Sequence, residues 1–334
     1  MPRLRFVAFL LVALLLVPLL TQCSGPWHDP SPHTIRFVNV DQRVPLEVLN
    51  WGGSGRPLVL LAGGGNTAHV FDAFAPKLTG DFHVVGITRR GFGASGFRDD
   101  DNTADRLGDD VLEVLDALRL EKPILVGHSF AGLEMSSVAS RYPQRLAGLI
   151  YLDSGYSYAF DNGKGADVMQ MMKLQAPQPP GPQKADLASF QAYRNYVARI
   201  DGFSVPEAEF RAQRKARWFG RVGDGIAQPG GSMLMAVLSS GKKYTQIPVP
   251  ACFIYASPHS LGPWVENNAD RKVQEDGRRF IANLTALETE QIGAVREAFP
   301  ADRVIVLAGA HHYVFLSREA EVLNEIRGFA ALLK

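Results

Sequence analysis

A serine hydroxyl is a weak nucleophile at neutral pH. To react it needs a base within hydrogen-bond reach, an acceptor that orients the base, and two N–H donors aimed at the oxyanion that forms. Ser129 has the local setting for such work. It lies in "ILVGHSFAGLEM" (124–135), where four apolar residues of strand character run into Gly127 and a helix-like stretch follows Phe130. A tight strand-to-helix turn lifts the serine clear of the sheet and swings the next backbone N–H toward the substrate. Such a turn is crowded, so its neighbours must be small. Gly127, Ala131 and Gly132 meet that demand. The run "G-H-S-F-A-G" fits a nucleophile elbow with one departure, since Ala131 stands where the motif has glycine.

The elements that must position this serine are legible as alternation. "HTIRFVNV" and "PLEVLNW" read as a hairpin pair, followed by "PLVLLA", "FHVVGIT", "PILVG", "LAGLIYLD", "ACFIYA" and "RVIVLA". Short continuous apolar runs of this kind suit strands buried on both faces of a parallel sheet. Helical patterns separate them. "TADRLGDDVLEVLDALRL" aligns Leu107, Val111, Leu112, Val114, Leu115 and Leu118 on one stripe, with Thr103 as N-cap. "REAEVLNEIRGFAALL" closes the chain in the same way. The pattern predicts a doubly wound α/β fold with a mostly parallel, eight-stranded sheet.

From Tyr156 to about Gln246 the alternation stops. "QAPQPPGPQ" is a loop, and "DLASFQAYRNYVARI", "VPEAEFRAQRKARWFG" and "GGSMLMAVLSS" read as helices. A segment this long between two strands predicts an inserted helical cap, residues 157–246, after the sixth strand. The core is then 33–156 together with 247–334. The basic run Arg211–Arg221 is expected on the solvated face of a cap helix.

Bulk properties narrow the function. The chain has 334 residues, a net charge of +1, 46% hydrophobic and 21% charged residues. That is a globular composition, and near-neutrality removes any global argument for nucleic acid or an anionic membrane as a partner. The N-terminus stands apart: Arg3 and Arg5 precede fifteen uncharged residues, Phe6 to Leu20, and then "TQCSG". This is the layout of a secretory signal, residues 1–23, and is short for a membrane span. "LLTQC" also resembles a lipoprotein signal in which Cys23 is acylated, although Gln22 departs from the small residue usual there. An exported protein, periplasmic or lipid-anchored to the cell envelope, is expected. Cys252, in "VPACFIYA", reads as a buried small hydrophobe. No metal site is expected, because His, Cys, Asp and Glu do not cluster at ligand spacing.

From about residue 33 to the end the chain resembles the α/β-hydrolase family, in its serine-nucleophile branch. "LLAGGGNTAHVF" is similar to the oxyanion loop after the third strand, with Ala62 in place of the usual His. "ITRRGFGASG" is similar to the Asp-x-Arg-Gly-x-Gly-x-Ser stretch after the fourth strand, with Thr88 in place of Asp and Arg90 in a structural role. The resemblance implies that the backbone N–H groups of Gly64 and Phe130 form the oxyanion hole, with Gly65 as the fallback. It places the base after the last strand, where "AGAHHYVF" offers His311 and His312. His312, followed by an aromatic residue, fits better. The usual acid slot after the seventh strand holds Ser257, Pro258, His259 and Ser260, with no carboxylate. Some members carry the acid after the sixth strand, and that position is Asp153. The alternatives are that Asp153 only caps a turn, or that Glu266 serves instead. His259 is read as structural or incidental.

The resemblance thus implies a cofactor-free serine hydrolase acting on a small-molecule carboxylic ester, or less readily an amide, through an acyl-enzyme on Ser129. An apolar acyl part would meet Met169, Met171, Met172, Met233 and Met235 of the cap, unless these serve only helix packing. Two other classes compete. "GFGASG" (91–96) matches a dinucleotide-binding G-x-G-x-x-G, but no helix opens directly after it. A non-catalytic binding protein, or a cofactor-free lyase or perhydrolase, would keep the same fold.

Overall fold

The computed structural model describes residues 27–100 and 102–333. The expected signal segment and Cys23 lie outside the described residues. Ten strands form: β1 (Thr34–Val40), β2 (Val44–Gly52), β3 (Pro57–Leu61), β4 (His83–Ile87), β5 (Ile124–His128), β6 (Gly148–Leu152), β7 (Arg214–Ala216), β8 (Val222–Gly225), β9 (Ala251–Ala256) and β10 (Val304–Leu307). Eight of them make one sheet in the order β1-β2-β4-β3-β5-β6-β9-β10. β1, β2 and β4 pair antiparallel, and every pair from β4 to β10 is parallel. This is the doubly wound α/β sheet read from the apolar runs.

Side chains of successive strand residues point to opposite faces, and both faces are covered. On β3, Val59 and Leu61 join one apolar layer, while Leu58 and Leu60 join the other. β5, β6 and β9 are buried at every residue. The helix Ala104–Leu118 starts where its cap residue dictates: the Thr103 hydroxyl accepts from the Arg106 N–H. Buried Leu107, Val111, Leu112, Val114 and Leu115 pack on the sheet. Cys252 is free and buried.

Between β6 and β9 lie the helices Val168–Met172, Phe190–Asp201, Glu207–Gln213 and Gly230–Ser239. This segment is not wholly helical. The predicted helix through Arg221 ends at Gln213, and the basic run continues as an antiparallel hairpin of β7 and β8. Arginine, lysine and alanine favour a helix locally. Here the following "GRVGDG" supplies a partner strand: the pairing joins Arg214 to Gly225 and Ala216 to Val222.

Residues 91–96 form turns and open no helix, since Gly91 N–H donates to the Gly96 carbonyl and the next helix starts at Ala104. This removes the context a dinucleotide site needs. Among the described residues no helix is long and apolar enough to cross a membrane.

Candidate active site

β5 delivers Ser129 into a turn with φ of 49°, left-handed backbone that a side-chain-bearing residue rarely adopts. The Ser129 N–H donates to the Leu152 carbonyl at 3.1 Å, and Ser154 Oγ donates to the Ser129 carbonyl at 2.5 Å. These bonds pin the elbow to the end of β6. The demand for small neighbours becomes explicit. A Cβ on Gly132 would lie 2.4 Å from the Ser154 carbonyl oxygen, and one on Gly127 would lie 2.8 Å from Met135 Sδ. A Cβ on Gly63 would meet His128 Nδ1 at 2.7 Å and Ser129 Cβ at 3.2 Å. Ala131, the departure from the motif, is fully buried in the first turn of the following helix.

Asp153 leaves the end of β6, also with positive φ (46°), and is wholly buried. Its Oδ1 accepts from Tyr156 Oη at 2.8 Å and from the Ala256 N–H at 3.1 Å. Its Oδ2 lies 2.6 Å from His312 Nδ1 and 2.7 Å from His259 Nε2. The structure therefore brings Asp153, not Glu266, to His312. Glu266 accepts from Ser260 Oγ and takes no part in this contact. Burial alone would raise the Asp153 carboxyl. The charge and hydrogen bond of His259, and then those of His312, outweigh it and hold the group well below the usual carboxylate range.

His259 is the residue the sequence undervalued. Its Nε2 meets Asp153, and its Nδ1 lies 2.9 Å from Glu288 Oε1. A neutral imidazole has one N–H, so serving two carboxylates requires the imidazolium. Burial opposes that charge, but Asp153 and Glu288 outweigh it and push His259 up to about 10. Glu288 also accepts from Ser257 Oγ at 2.8 Å. Glu288 comes from the 28-residue helix Arg271–Ala298 and has no sequence signal linking it to the site. The empty acid slot after β9 was a signal for His259: the slot holds the cation that grips the relocated acid.

His128, just before the elbow, donates Nε2–H to the His312 carbonyl at 3.0 Å. Its Nδ1 is then an unprotonated acceptor, buried without a partner. Burial, followed by repulsion from His312, drives its basicity well down, so it stays neutral. His311 is likewise held down, to about 3, by burial and then by His312 and His259. It stacks near Phe203 and Tyr313.

The loop after β3 brings Gly64 next to Phe130: a Cβ on Gly64 would lie 3.8 Å from the Phe130 Cβ and 3.0 Å from Leu234. Gly65 has φ of 83°, and its carbonyl accepts from Gln213 Nε2 at 3.0 Å. Arg89, the unremarked first arginine of "TRRG", ties the two sides together. Its guanidinium donates to the carbonyls of Ala62 (2.7 Å) and Gly63 (3.3 Å), pairs with buried Glu134, and lies 5.1 Å above the Phe130 ring. Arg90 pairs with buried Asp110 and stays structural. Thr88, standing in the usual Asp position, accepts from the Ala68 N–H and donates to Glu47. Glu209 of the cap accepts from Asn66 and Thr67, and Asn66 in turn accepts from Tyr313 Oη.

Ser129 and His312 open into one cavity of about 530 Å³. Among the described residues no direct Ser129–His312 hydrogen bond forms, and Tyr158 lines the cavity beside Ser129. Such bonds are often loose in unliganded enzymes. The cavity wall is apolar: Met171, Met172, Leu234, Met235, Leu238 and Leu284 line it. Met233 is instead in the core, and Met169 lines a different depression.

Among the described residues two histidine–carboxylate clusters bring ligand atoms together, which spacing along the chain did not suggest. Asp153, His259 and His312 form one, and its shared protons are described above. The other joins His33 and His69, whose Nδ1 atoms lie 2.8 and 2.9 Å from the two oxygens of Asp72. Trp51 Nε1–H adds a third bond to Asp72 at 3.1 Å.

This fold and this arrangement belong to a known class. Residues 58–325 match the alpha/beta hydrolase family, and the chain is a member of it. Three curated relatives give the scale of the likeness. A protein named as a non-heme haloperoxidase, from Mycobacterium phage D29, is 30% identical over 30% of this chain and 37% of its own length. A 2-hydroxymuconate semialdehyde hydrolase of Pseudomonas sp. (strain CF600) is 28% identical over 49% of this chain and 68% of its own. An esterase of Mycobacterium tuberculosis is 31% identical over 38% of this chain and 41% of its own. The chain thus spans well under two thirds of the first and third. Among solved structures, an E-2-(acetamidomethylene)succinate hydrolase superposes with a TM-score of 0.59 at 18% identity, covering 90% of this chain and 99% of its own. A membrane phospholipase A superposes at 0.58 with 14% identity, covering 90% and 86%. Both show the same fold.

Proposed function

We propose that this protein is a serine hydrolase that cleaves a carboxylic ester with an apolar acyl part through an acyl-enzyme on Ser129. The observation that carries the reading is the strained Ser129 elbow opening into the same cavity as His312, whose Nδ1 rests on a buried, ionised Asp153. His312 takes the Ser129 proton as the hydroxyl attacks the carbonyl carbon. Asp153 keeps the His312 Nδ1–H in place, so that Nε2 is the basic atom, and stabilises the imidazolium. The Gly64 and Phe130 N–H groups receive the oxyanion. His312 then protonates the leaving alcohol, and a water activated by the same imidazole releases the acid. The apolar cavity wall supports an acyl chain over a charged one, and among the described residues no lysine or arginine lines it to pair with a substrate carboxylate. Export, and acylation of Cys23, belong to the same proposal and rest on the Arg3–Gly25 pattern.

A fluorophosphonate probe followed by intact mass and peptide mapping tests this reading. One adduct, on Ser129 and absent in Ser129→Ala, is expected, and Asp153→Asn should slow labelling by about 10⁴. A folded protein that takes no adduct overturns the proposal. The intact mass of protein recovered from membranes also reads whether Cys23 carries acyl chains.

A further inference from the structure

The β7–β8 hairpin ends in two aromatic residues that pack on nothing. Trp218 is 87% exposed and Phe219 is 96% exposed. They are the two most exposed large apolar side chains among the described residues. The tip is built, not frayed. The Arg217 N–H donates to the Arg221 carbonyl at 2.8 Å, and the Gly220 N–H to the Arg217 carbonyl at 3.1 Å. Phe219 has φ of 58°, a conformation that glycine or asparagine adopts at far lower cost. A bulky apolar residue kept there, in full contact with water, is unfavourable on both counts unless something covers it.

The surroundings of the tip indicate what that is. Arg214, Lys215, Arg217 and Arg221 lie within five residues of the Trp218–Phe219 pair, against one acid, Asp224. Asp224 pairs with Arg217 at 2.7 Å, and Arg214 stacks 4.7 Å from the Tyr193 ring. Lys215 and Arg221 are exposed and make no ion pair among the described residues. The chain as a whole carries only +1, so this concentration of positive charge is local. A narrow convex tip of two aromatics cannot make a stable protein interface. Two such rings bury at most about 500 Å², whereas a standard interface needs about 800 Å² per partner. An indole beside cations matches the headgroup region of a bilayer, where amphipathic rings are favoured and Lys/Arg meet anionic phosphates.

We infer that the Trp218–Phe219 tip is a membrane-docking element that inserts its two rings into the interfacial region of an anionic bilayer, with Lys215 and Arg221 on the lipid phosphates. The hairpin leaves the helix Glu207–Gln213, whose Glu209 holds Asn66 and Thr67 and whose Gln213 donates to the Gly65 carbonyl at 3.0 Å. Docking would therefore hold the oxyanion loop next to the lipid surface. The inference rests on the hairpin alone and not on the chemistry at Ser129.

The test uses the full chain with vesicles of phosphatidylcholine and phosphatidylglycerol, with or without bromine on the acyl chains. The emission difference between the wild type and Trp218→Phe isolates Trp218. Blue-shifted Trp218 emission, quenched by brominated lipid, is expected with phosphatidylglycerol present. The half-saturating lipid concentration should rise about fivefold for each of Lys215→Glu and Arg221→Glu, less at high salt. Vesicle-bound protein whose Trp218 ignores brominated lipid yet remains open to aqueous acrylamide overturns the inference. So does a blue shift that grows with protein concentration in the absence of lipid, which would assign the tip to a second copy of the chain. All three substitutions are on exposed side chains, so the fold and fluorophosphonate labelling of Ser129 serve as internal controls.

Discussion

Asp153 shares one oxygen between two imidazoles, and that sharing has a measurable consequence. Its Oδ2 serves both His312 and the cationic His259, whose ring centroids lie 6.0 Å apart. The His259 charge is the largest of the contributions that keep the Asp153 carboxylate ionised beside the proposed base. In His259→Gln the amide can still donate to Asp153, but the charge is gone. Asp153 then loses the largest of the contributions that hold its carboxyl down, so the carboxylate protonates more readily and the acidic limb of the kcat/KM–pH profile should move up. A profile that does not move, with lower activity at every pH, would assign His259 a purely steric role. None of this is visible in the sequence around His259, which shows only an acid slot without an acid.

At the scale of elements, the proposed site depends on how the loop after β3, the elbow helix and β4 meet. Arg89 joins them through the Ala62 and Gly63 carbonyls, Glu134 and the Phe130 ring. Arg89→Lys keeps the charge beside Glu134 but loses the planar fork. With the loop carbonyls released, kcat for an ester substrate should fall by about 10² while the fold survives, in line with the loss of one oxyanion donor. Melting temperature and kcat, measured together, separate this from general unfolding. The sequence pointed to this region as a loop motif but attached the structural role to Arg90 alone. Nothing local distinguishes two adjacent arginines; the side each faces is decided by Asp110 on one helix and Glu134 on another. The cap shows the same limit. Its helix Phe190–Asp201 was legible in "DLASFQAYRNYVARI", and the structure adds the Ser189 hydroxyl as its cap. The β7–β8 hairpin was not, because local propensity favoured a helix and only pairing with residues 222–225 overrode it.

Across the whole molecule, stability should carry a pH signature set by two buried histidines. His69 and His259 are both raised from 6.5 to about 10. For His69, burial opposes the charge, and the bonds to Asp72 and Glu47 outweigh it. A folded pKa above the unfolded one means the stabilising contribution is complete below about pH 6.5 and is lost as pH rises toward 10. The slope is at most about 1.4 kcal/mol per pH unit for each group. Thermal unfolding followed from pH 6 to pH 10 should show a falling melting temperature, and His69→Gln should make the decline shallower. A melting temperature that stays flat or rises over that window would contradict the two cationic sites. Both clusters join segments far apart in the chain: Glu47 to Asp72 in one, Asp153 to Glu288 in the other.

The sequence by itself determined what depends on neighbours a few residues away. Apolar runs specify strands buried on both faces, a stripe with Thr103 specifies a helix and its start, and small residues around Ser129 permit the strained turn. Tertiary structure alone decided what depends on residues a hundred positions apart. It chose Asp153 over Glu266 as the acceptor for His312, made His259 a cation by placing it between Asp153 and Glu288, and aimed Arg89 at the oxyanion loop. The physical reason is that hydrogen bonds and charge pairs are settled over a few ångströms of space, and chain spacing carries no record of which distant groups the packed sheet will bring within that range.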